Sequence, residues 1–108
     1  MENKNPCPCA DECPVQNALA GIGGKWKLPI ICSLAADGPS RYNELLKRVH
    51  GISNTMLSQT LKEMETDHLV KRAEYLEVPV RVEYELTERA TRLKPILEQL
   101  IAWSISNT

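Results

Sequence analysis

The chain has 108 residues, of which 13 are Lys or Arg and 14 are Asp or Glu, and its formal net charge is −1 at pH 7. With 43% hydrophobic and 25% charged residues, the composition is typical of one soluble globular domain. A chain of this length can bury one core but not a second, which excludes a large multi-domain enzyme. The near-zero charge also argues against a protein that holds a polyanion through its whole surface.

Nothing in the sequence predicts a membrane segment or a secretion signal. No apolar run reaches the roughly 18 to 20 residues needed to span a bilayer. Residues 1–13 are polar and lack the apolar stretch of a signal peptide. We therefore expect a cytoplasmic protein with no membrane partner. In that compartment the four cysteines are expected to be thiols, metal ligands or redox sensors rather than disulfides. They are Cys7, Cys9, Cys13 and Cys32.

A flexible tail and four helices are predicted in the first two thirds of the chain. Residues 1–12 combine charges, prolines and cysteines with few apolar side chains, which predicts a flexible tail, and residues 13–108 form the predicted domain. Ser40 and Ser53 are expected to cap the third and fourth helices. Apolar residues at helical spacing predict these helices over residues 14–22, 25–36, 41–49 and 54–67.

The last third of the chain predicts a hairpin followed by a helix. Residues 69–75 and 81–86 have strand character, and the second stretch alternates apolar and charged residues. Thr87 is expected to cap a helix over residues 88–105, with a kink or local opening at Pro95. This order of elements predicts an α+β, mainly α fold, namely a winged helix-turn-helix domain with a two-stranded wing and a C-terminal helix.

The fourth predicted helix carries the clearest functional pattern. Leu57, Leu61 and Met64 recur at core spacing. Short hydrogen-bonding side chains and one lysine then occupy the opposite face: Asn54, Thr55, Ser58, Gln59 and Lys62. Such side chains suit base edges and phosphates, and the positive end of the helix dipole attracts phosphate. A plain solvated helix face explains the same pattern about as well, so this helix alone leaves both interpretations open.

Local charge favours the nucleic-acid interpretation. Residues 40–72 hold six Lys or Arg against four Asp or Glu. In residues 1–13 and 73–108 the acidic residues outnumber the basic ones. The near-neutral total therefore conceals a modestly basic middle segment, which contains the fourth predicted helix.

Eight short sequence stretches together point to one protein family, although each stretch alone occurs in many unrelated proteins. They are Cys13–Val15, Gly23–Lys27, Arg41–Leu45, Ile52–Ser53, Met56–Leu61, Glu77–Pro79, Arg81–Glu88 and Leu93–Leu97. Together they resemble the HxlR-type winged-helix transcriptional regulators. The resemblance implies a homodimeric bacterial DNA-binding regulator whose fourth helix enters the major groove and whose hairpin is a wing at the neighbouring minor groove. It also implies that the first helix and the C-terminal helix form the dimer interface.

The resemblance further implies which side chains bind DNA. The expected major-groove residues are Ser53, Asn54, Thr55, Ser58 and Gln59. Gln59 can pair with adenine through two hydrogen bonds. Four cationic side chains are expected to contact the phosphate backbone of DNA or, at the wing, to enter a narrow minor groove. They are Lys25, Arg41 and Lys62 for the phosphates and Arg81 for the wing. A two-fold dimer would bind an inverted-repeat operator in double-stranded DNA, with its recognition helices roughly 34 to 36 Å apart.

Cys13 is the thiol with the clearest predicted role. It lies at the start of the first helix, where the helix dipole favours a thiolate. Cys7 and Cys9 lie close enough in sequence to be its partner thiols or, together with it, ligands of Zn²⁺ or Cu⁺. The resemblance implies that Cys13 is a sensor of oxidants or of a reactive small-molecule inducer. A passive small residue at the dimer contact is an equally weighted alternative. The C-x-C-x3-C spacing of these cysteines is not that of a structural zinc site, so no metal ligand is predicted. Cys32 is expected to be buried and inert.

No catalytic pattern is present. His50 and His68 lie in predicted turns, without a nucleophile or carboxylate pattern around them. We therefore predict a protein that is not an enzyme and uses no cofactor. The leading hypothesis is a sequence-specific dimeric regulator gated through Cys13. The alternative is a redox-sensing or metal-binding module that uses the winged-helix fold for protein contacts, because a fold alone does not fix function.

Overall fold

The computed structural model describes residues 13–106, so the predicted tail over residues 1–12 lies outside the described residues. In the described part of the chain, six helices and one antiparallel hairpin follow one another. Their bounds are Pro14–Ile22 for α1, Lys27–Asp37 for α2, Tyr42–Arg48 for α3, Asn54–Thr66 for α4, Val70–Tyr75 for β1, Arg81–Leu86 for β2, Glu88–Thr91 for α5 and Leu93–Ser104 for α6. The predicted mainly helical α+β fold with a two-stranded wing is confirmed.

The core lies where α2, α3 and α4 meet the hairpin. Its aliphatic side chains are at most 8% exposed. They are Ile30, Ile31, Leu34, Leu45, Val49, Ile52, Leu57, Leu61, Met64, Leu69, Val70 and Ala90. Burying each large aliphatic side chain contributes about 1.5 to 3 kcal/mol. The apolar stripes predicted for the second, third and fourth helices supply most of this core.

A β-bridge joins the hairpin to the segment between α2 and α3. β1 and β2 pair antiparallel, with Arg72 opposite Tyr84. Ser40, which lies between α2 and α3, pairs with Tyr84 through two backbone hydrogen bonds of 2.9 and 2.8 Å. Because this bridge adds a third strand position beside β2, it fixes the wing relative to the helix-turn-helix.

The prediction that Ser40 caps α3 is wrong, because the backbone of Ser40 belongs to the bridge. Arg41 is the N-cap residue of α3, and its backbone N–H donates to the Glu44 carboxylate at 2.8 Å. The fully buried Ser40 hydroxyl instead accepts a hydrogen bond from the Arg48 guanidinium at 2.6 Å. A tertiary partner therefore outweighs the local capping preference at this position.

Thr87 and His68 hold the end of α4 against the start of α5. Thr87 caps α5 as predicted, since its hydroxyl accepts from the Ala90 backbone N–H at 3.1 Å, and it donates to the His68 carbonyl at 2.6 Å. His68 has a φ of 60°, a left-handed conformation that costs a residue with a side chain about 1 to 2 kcal/mol. The turn lets the Leu69 N–H bond to the Met64 carbonyl at 2.8 Å and so closes α4.

The C-terminal helix predicted over residues 88–105 is divided at Arg92. α5 ends at Thr91 and α6 begins at Leu93. Pro95 has no backbone N–H to donate to the Thr91 carbonyl, and its ring crowds that carbonyl. The helix therefore opens one turn before the proline, and the expected local opening is confirmed.

α1 and α6 contribute no buried residue to the core of the protomer. Six of their large apolar side chains are between 49 and 75% exposed. They are Val15 and Leu19 on α1 and Ile96, Leu100, Ile101 and Trp103 on α6. Exposed apolar surface of this kind marks an interaction site. None of the helices within residues 13–106 is long and apolar enough to cross a membrane.

The prediction that Cys32 is buried is wrong, because its side chain is exposed. The preceding residue, Ile31, is 1% exposed, and the next position on a helix lies about 100° further round the axis. Cys32 is therefore turned away from the core. It lines a shallow apolar cavity between α2 and α6, together with Leu97 and Ile101.

Candidate nucleic-acid interface

α4 presents a polar outer face because its inner face is buried. Leu57, Leu61 and Met64 are at most 1% exposed, and their burial fixes the rotation of the helix about its axis. The side chains of the opposite face are exposed and line one shallow depression. They are Asn54, Thr55, Ser58, Gln59 and Lys62. The five residues that the sequence predicts for the outer face of this helix therefore lie together.

Ser53 caps α4 at the edge of the same face. Its hydroxyl accepts from the Met56 backbone N–H at 3.1 Å, which confirms the predicted cap. Ser53 and Asn54 are both exposed, so the positive end of the helix dipole faces solvent. An anion near this end of the helix meets the positive end of the dipole, and Lys62 adds a positive charge about two turns further along the same face.

Tyr42 contacts the outer face of α4 from α3. Its ring packs against the core. Its hydroxyl lies 2.9 Å from the Asn54 carbonyl oxygen, 3.1 Å from Asn54 Oδ1 and 3.1 Å from Ser58 Oγ. The sequence pattern did not indicate this contact, because Tyr42 fits the apolar stripe of the third helix. A hydroxyl at the end of such a stripe is the signal that could have indicated it.

The three cations predicted to hold phosphates are exposed and come from three parts of the chain. Lys25 precedes α2, and its Nζ lies 4.9 Å from the centroid of the Trp26 ring. This cation–π contact favours the position of the ammonium group above the ring. Arg41 is the N-cap residue of α3. Lys62 lies on the outer face of α4 and lines the same depression as Gln59.

Arg81, the cation predicted for the wing, is held by carboxylates. Its Nη1 donates to Glu83 at 2.7 Å, and its Nη2 and Nε donate to Glu77 at 2.9 and 3.3 Å. Its guanidinium lies 4.1 Å from the centroid of the Tyr75 ring. These hydrogen bonds raise the pKa of Arg81. The bond with Arg81 also lowers the pKa of Glu77, and the positive charges of Arg81 and Arg41 lower it further.

The wing is therefore not an open cationic surface. Residues 70–86 hold three Lys or Arg and four Glu. Each of the three cations has a carboxylate oxygen within 3.3 Å, and Lys71 pairs with Glu85 while Arg72 pairs with Glu74. The sequence pattern did not indicate these pairs, although Lys71 and Glu85 face each other in the hairpin register. Exposed pairs of this kind contribute little stability, about 0 to 1 kcal/mol each.

A polar cleft separates α4 from the wing. The side chains that line it are those of Tyr42, Ser58, Leu61, Lys62, Glu65, Arg72 and Tyr84. Arg72 lies opposite Tyr84 in the hairpin, and a hydrogen bond with Tyr84 is the main cause of its raised pKa. Neither residue was predicted at the interface, and their facing positions in the hairpin are the signal that could have indicated them.

The two described cysteines lie in different environments. Cys13 is the N-cap residue of α1 and is 3% exposed, whereas Cys32 is exposed. The predicted partner thiols, Cys7 and Cys9, lie outside the described residues. Among residues 13–106, no three His, Cys, Asp or Glu side chains are grouped so that they could hold a metal ion.

Comparison with known proteins assigns the family. The HxlR-like helix-turn-helix family matches residues 21–108. The chain belongs to this family. An uncharacterized helix-turn-helix transcriptional regulator of Halalkalibacterium halodurans is 46% identical over 106 residues, and this match covers 98% of the chain and 94% of the relative. The resemblance to HxlR-type regulators is therefore confirmed.

Two solved structures of regulators share the fold of this HxlR-like chain. The redox regulator HypR in its oxidized form matches with a TM-score of 0.77 and 42% identity, over 89% of this chain and 98% of that chain. The reduced form of the transcriptional regulator YodB from Bacillus subtilis matches with a TM-score of 0.78 and 37% identity, over 86% and 91% of the two chains. The protein is a winged helix-turn-helix transcriptional regulator of the HxlR type.

Ser53→Ala should lower the free energy of unfolding by about 1 kcal/mol, because it removes the cap of α4. Ser53→Asp should leave it nearly unchanged, since a carboxylate accepts the same Met56 N–H and suits the positive end of the helix. Urea denaturation followed by circular dichroism, at matched protein concentration, measures both variants. Equal destabilisation by the two substitutions would contradict the capping role.

Proposed function

We propose that this HxlR-type regulator binds double-stranded DNA sequence-specifically, as a homodimer on an inverted-repeat operator, with α4 in the major groove. The observation that carries the proposal is the outer face of α4. Its five exposed polar side chains share one surface, beside a capped helix end that faces solvent. A major groove about 12 Å wide admits such a helix, and each base pair offers it a distinct set of donors and acceptors. This function places the protein in the cytoplasm and needs no catalytic residue.

The proposed base-reading residues lie at the start and in the middle of α4. They are Ser53, Asn54, Thr55, Ser58 and Gln59, all of which are exposed. The amide of Gln59 can donate and accept at once, which matches N6 and N7 of adenine. The shorter side chains near the N-terminus of the helix suit either base edges or the adjacent phosphates.

Lys25, Arg41 and Lys62 are the proposed phosphate contacts, and they hold the protein on DNA without selecting a sequence. Arg81 reaches a phosphate or a minor groove only if it exchanges the carboxylates of Glu77 and Glu83 for that partner. Because two carboxylates already match its charge, we expect Arg81 to contribute less to affinity than Lys62 does.

Gln59→Ala should relax base preference. Lys62→Ala, and to a smaller extent Arg81→Ala, should instead weaken binding by the same factor for every sequence. An amide that reads one base pair gives about 1 to 3 kcal/mol of discrimination. A phosphate contact is the same for every sequence. Log affinity falls with log salt, and removing one such contact makes this fall less steep by about one unit of slope. Affinities for an operator and its single-base variants, measured at several salt concentrations, test both expectations.

Unchanged affinity in the Gln59 and Lys62 variants would contradict this assignment of roles. If the wild-type protein showed no DNA binding even at low salt, the alternative of a redox-sensing or metal-binding module that contacts other proteins would replace the DNA-binding proposal.

α1 and α6 form the proposed dimer interface. Their exposed apolar side chains have no place in the core of the protomer. A second copy would remove them from water, which is worth roughly 25 cal/mol for each Å² of apolar surface. A two-fold axis then sets the recognition helices about 34 to 36 Å apart, so the two half-sites are inverted and lie about one helical turn apart.

Trp103→Glu should convert the dimer to a monomer and lower operator affinity at least about tenfold, because it places an unpartnered charge in the proposed interface. Ala102→Glu is the matched control, since it adds the same charge to α6 about 100° away from Trp103. Light scattering at micromolar concentration measures the mass of each variant. A wild-type monomer, or a Trp103→Glu dimer, would rule out this interface.

Cys13 is the proposed redox-sensitive residue, and oxidants or an electrophilic small molecule are the proposed inducers. Because Cys13 is 3% exposed and begins α1, a group added to its sulfur has to displace its surroundings and shift a helix of the proposed interface. Cys7 and Cys9 are the proposed partner thiols. The name of the matched HypR structure, a redox regulator in its oxidized form, supports a redox role.

Alkylation by N-ethylmaleimide should change operator affinity severalfold in the wild-type protein and in Cys32→Ser, but not in Cys13→Ser. The Cys32 variant is needed because the Cys32 thiol is exposed and reacts as well. Mobility-shift titrations with and without the reagent give the affinities, and mass spectrometry identifies the alkylated residue. A full response in Cys13→Ser would show that another residue is the sensor.

A further inference from the structure

The Tyr42 hydroxyl is bonded to two side chains of the proposed base-reading face. It lies 3.1 Å from Asn54 Oδ1, 3.1 Å from Ser58 Oγ and 2.9 Å from the Asn54 carbonyl oxygen. Tyr42 is the first residue of α3, and the ring packs against a core in which Leu45 of the same helix is fully buried. The hydroxyl is therefore held at a defined position beside α4.

The number of available hydrogens decides how these contacts are made. A phenol has one hydrogen to donate, and both oxygens of Asn54 can only accept. The hydrogen of Tyr42 is therefore directed at Asn54 and shared between its two oxygens. Ser58 has a hydrogen of its own, which it donates to the Tyr42 oxygen. This allocation satisfies all three contacts at once.

The same allocation fixes what the two side chains offer to a ligand. Because Oδ1 of Asn54 faces Tyr42, the NH2 group on the other side of the amide is left with two hydrogens to donate. Because the hydrogen of Ser58 is used, its oxygen is left with lone pairs that accept. On the outer face of α4, Asn54 is a donor and Ser58 is an acceptor.

We propose that Tyr42 is a positioning residue for base recognition, which sets Asn54 as a donor and Ser58 as an acceptor toward the major groove. The proposal rests on the DNA-binding function proposed above and adds that α3 helps to determine the operator sequence. A donor at Asn54 fits N7 or O6 of guanine, N7 of adenine or O4 of thymine, and an acceptor at Ser58 fits the amino group of adenine or cytosine. Phosphate oxygens only accept, so the acceptor at Ser58 finds its partner on a base.

Tyr42→Phe tests the proposal, because it keeps the ring and removes only the hydroxyl. Affinities are measured for the operator, for its single-base variants and for unrelated DNA. At one or two positions in each half-site, the preference for the operator base should fall between about two- and tenfold, the contribution of one hydrogen bond. Affinity for unrelated DNA and the salt dependence should stay unchanged. Tyr75→Phe, which removes the same group from the wing, should match the wild type.

A double-mutant comparison assigns the effect to the two side chains. In a protein that already carries Asn54→Ala and Ser58→Ala, Tyr42→Phe should cause no further change in base preference. A further change in that background would overturn the proposal. An equal loss of affinity for every sequence, including unrelated DNA, would overturn it as well, because it would show an effect on the fold alone.

The two proposals fail in distinguishable ways. Wild-type protein without any base preference would overturn both the DNA-binding function and the role of Tyr42. A wild-type preference that Tyr42→Phe leaves unchanged would overturn only the positioning role.

Discussion

The burial of one side of α4 is the constraint on which the interface depends. Leu57, Leu61 and Met64 are at most 1% exposed, and truncating a side chain of this kind costs about 2 to 5 kcal/mol. Rotating the helix by one residue would bury Ser58 and Lys62 in their place, without partners for a hydroxyl and a charge. The core therefore fixes the direction in which the polar side chains point. It does not determine which polar residues occupy the outer face, so these residues can serve recognition.

The outer face of α4, whose one charged side chain is that of Lys62, suits an anion better than the wing does. The chain carries a net charge of −1, and the cations of the wing are matched by nearby carboxylates, Arg81 by two of them. Because electrostatic affinity for DNA grows with the number of phosphates neutralised, non-specific binding is expected to be weak. In the proposed function, binding then depends on groove fit, on the hydrogen bonds of α4 and on two half-sites held by one dimer.

Features determined within one element could be predicted from the sequence, and features that depend on distant partners could not. The repeat of apolar residues predicted α4, and the serine directly before this repeat predicted the cap at Ser53. Ser40 was misassigned because its partner lies in the hairpin, and the role of the Tyr42 hydroxyl depends on how α3 meets α4. Cys32 was misassigned because free cysteines are usually buried. The partners of Arg81 are close in sequence, but only the folded loop brings both carboxylates to one guanidinium.

Selection of bound sequences from a random duplex library, followed by footprinting of the selected DNA, shows whether two copies of α4 read the major groove. We expect an inverted repeat, with two protected segments on one face of the DNA whose centres are about 10 base pairs apart. Selection that enriches no sequence, or that yields a single half-site with one protected segment, would contradict it.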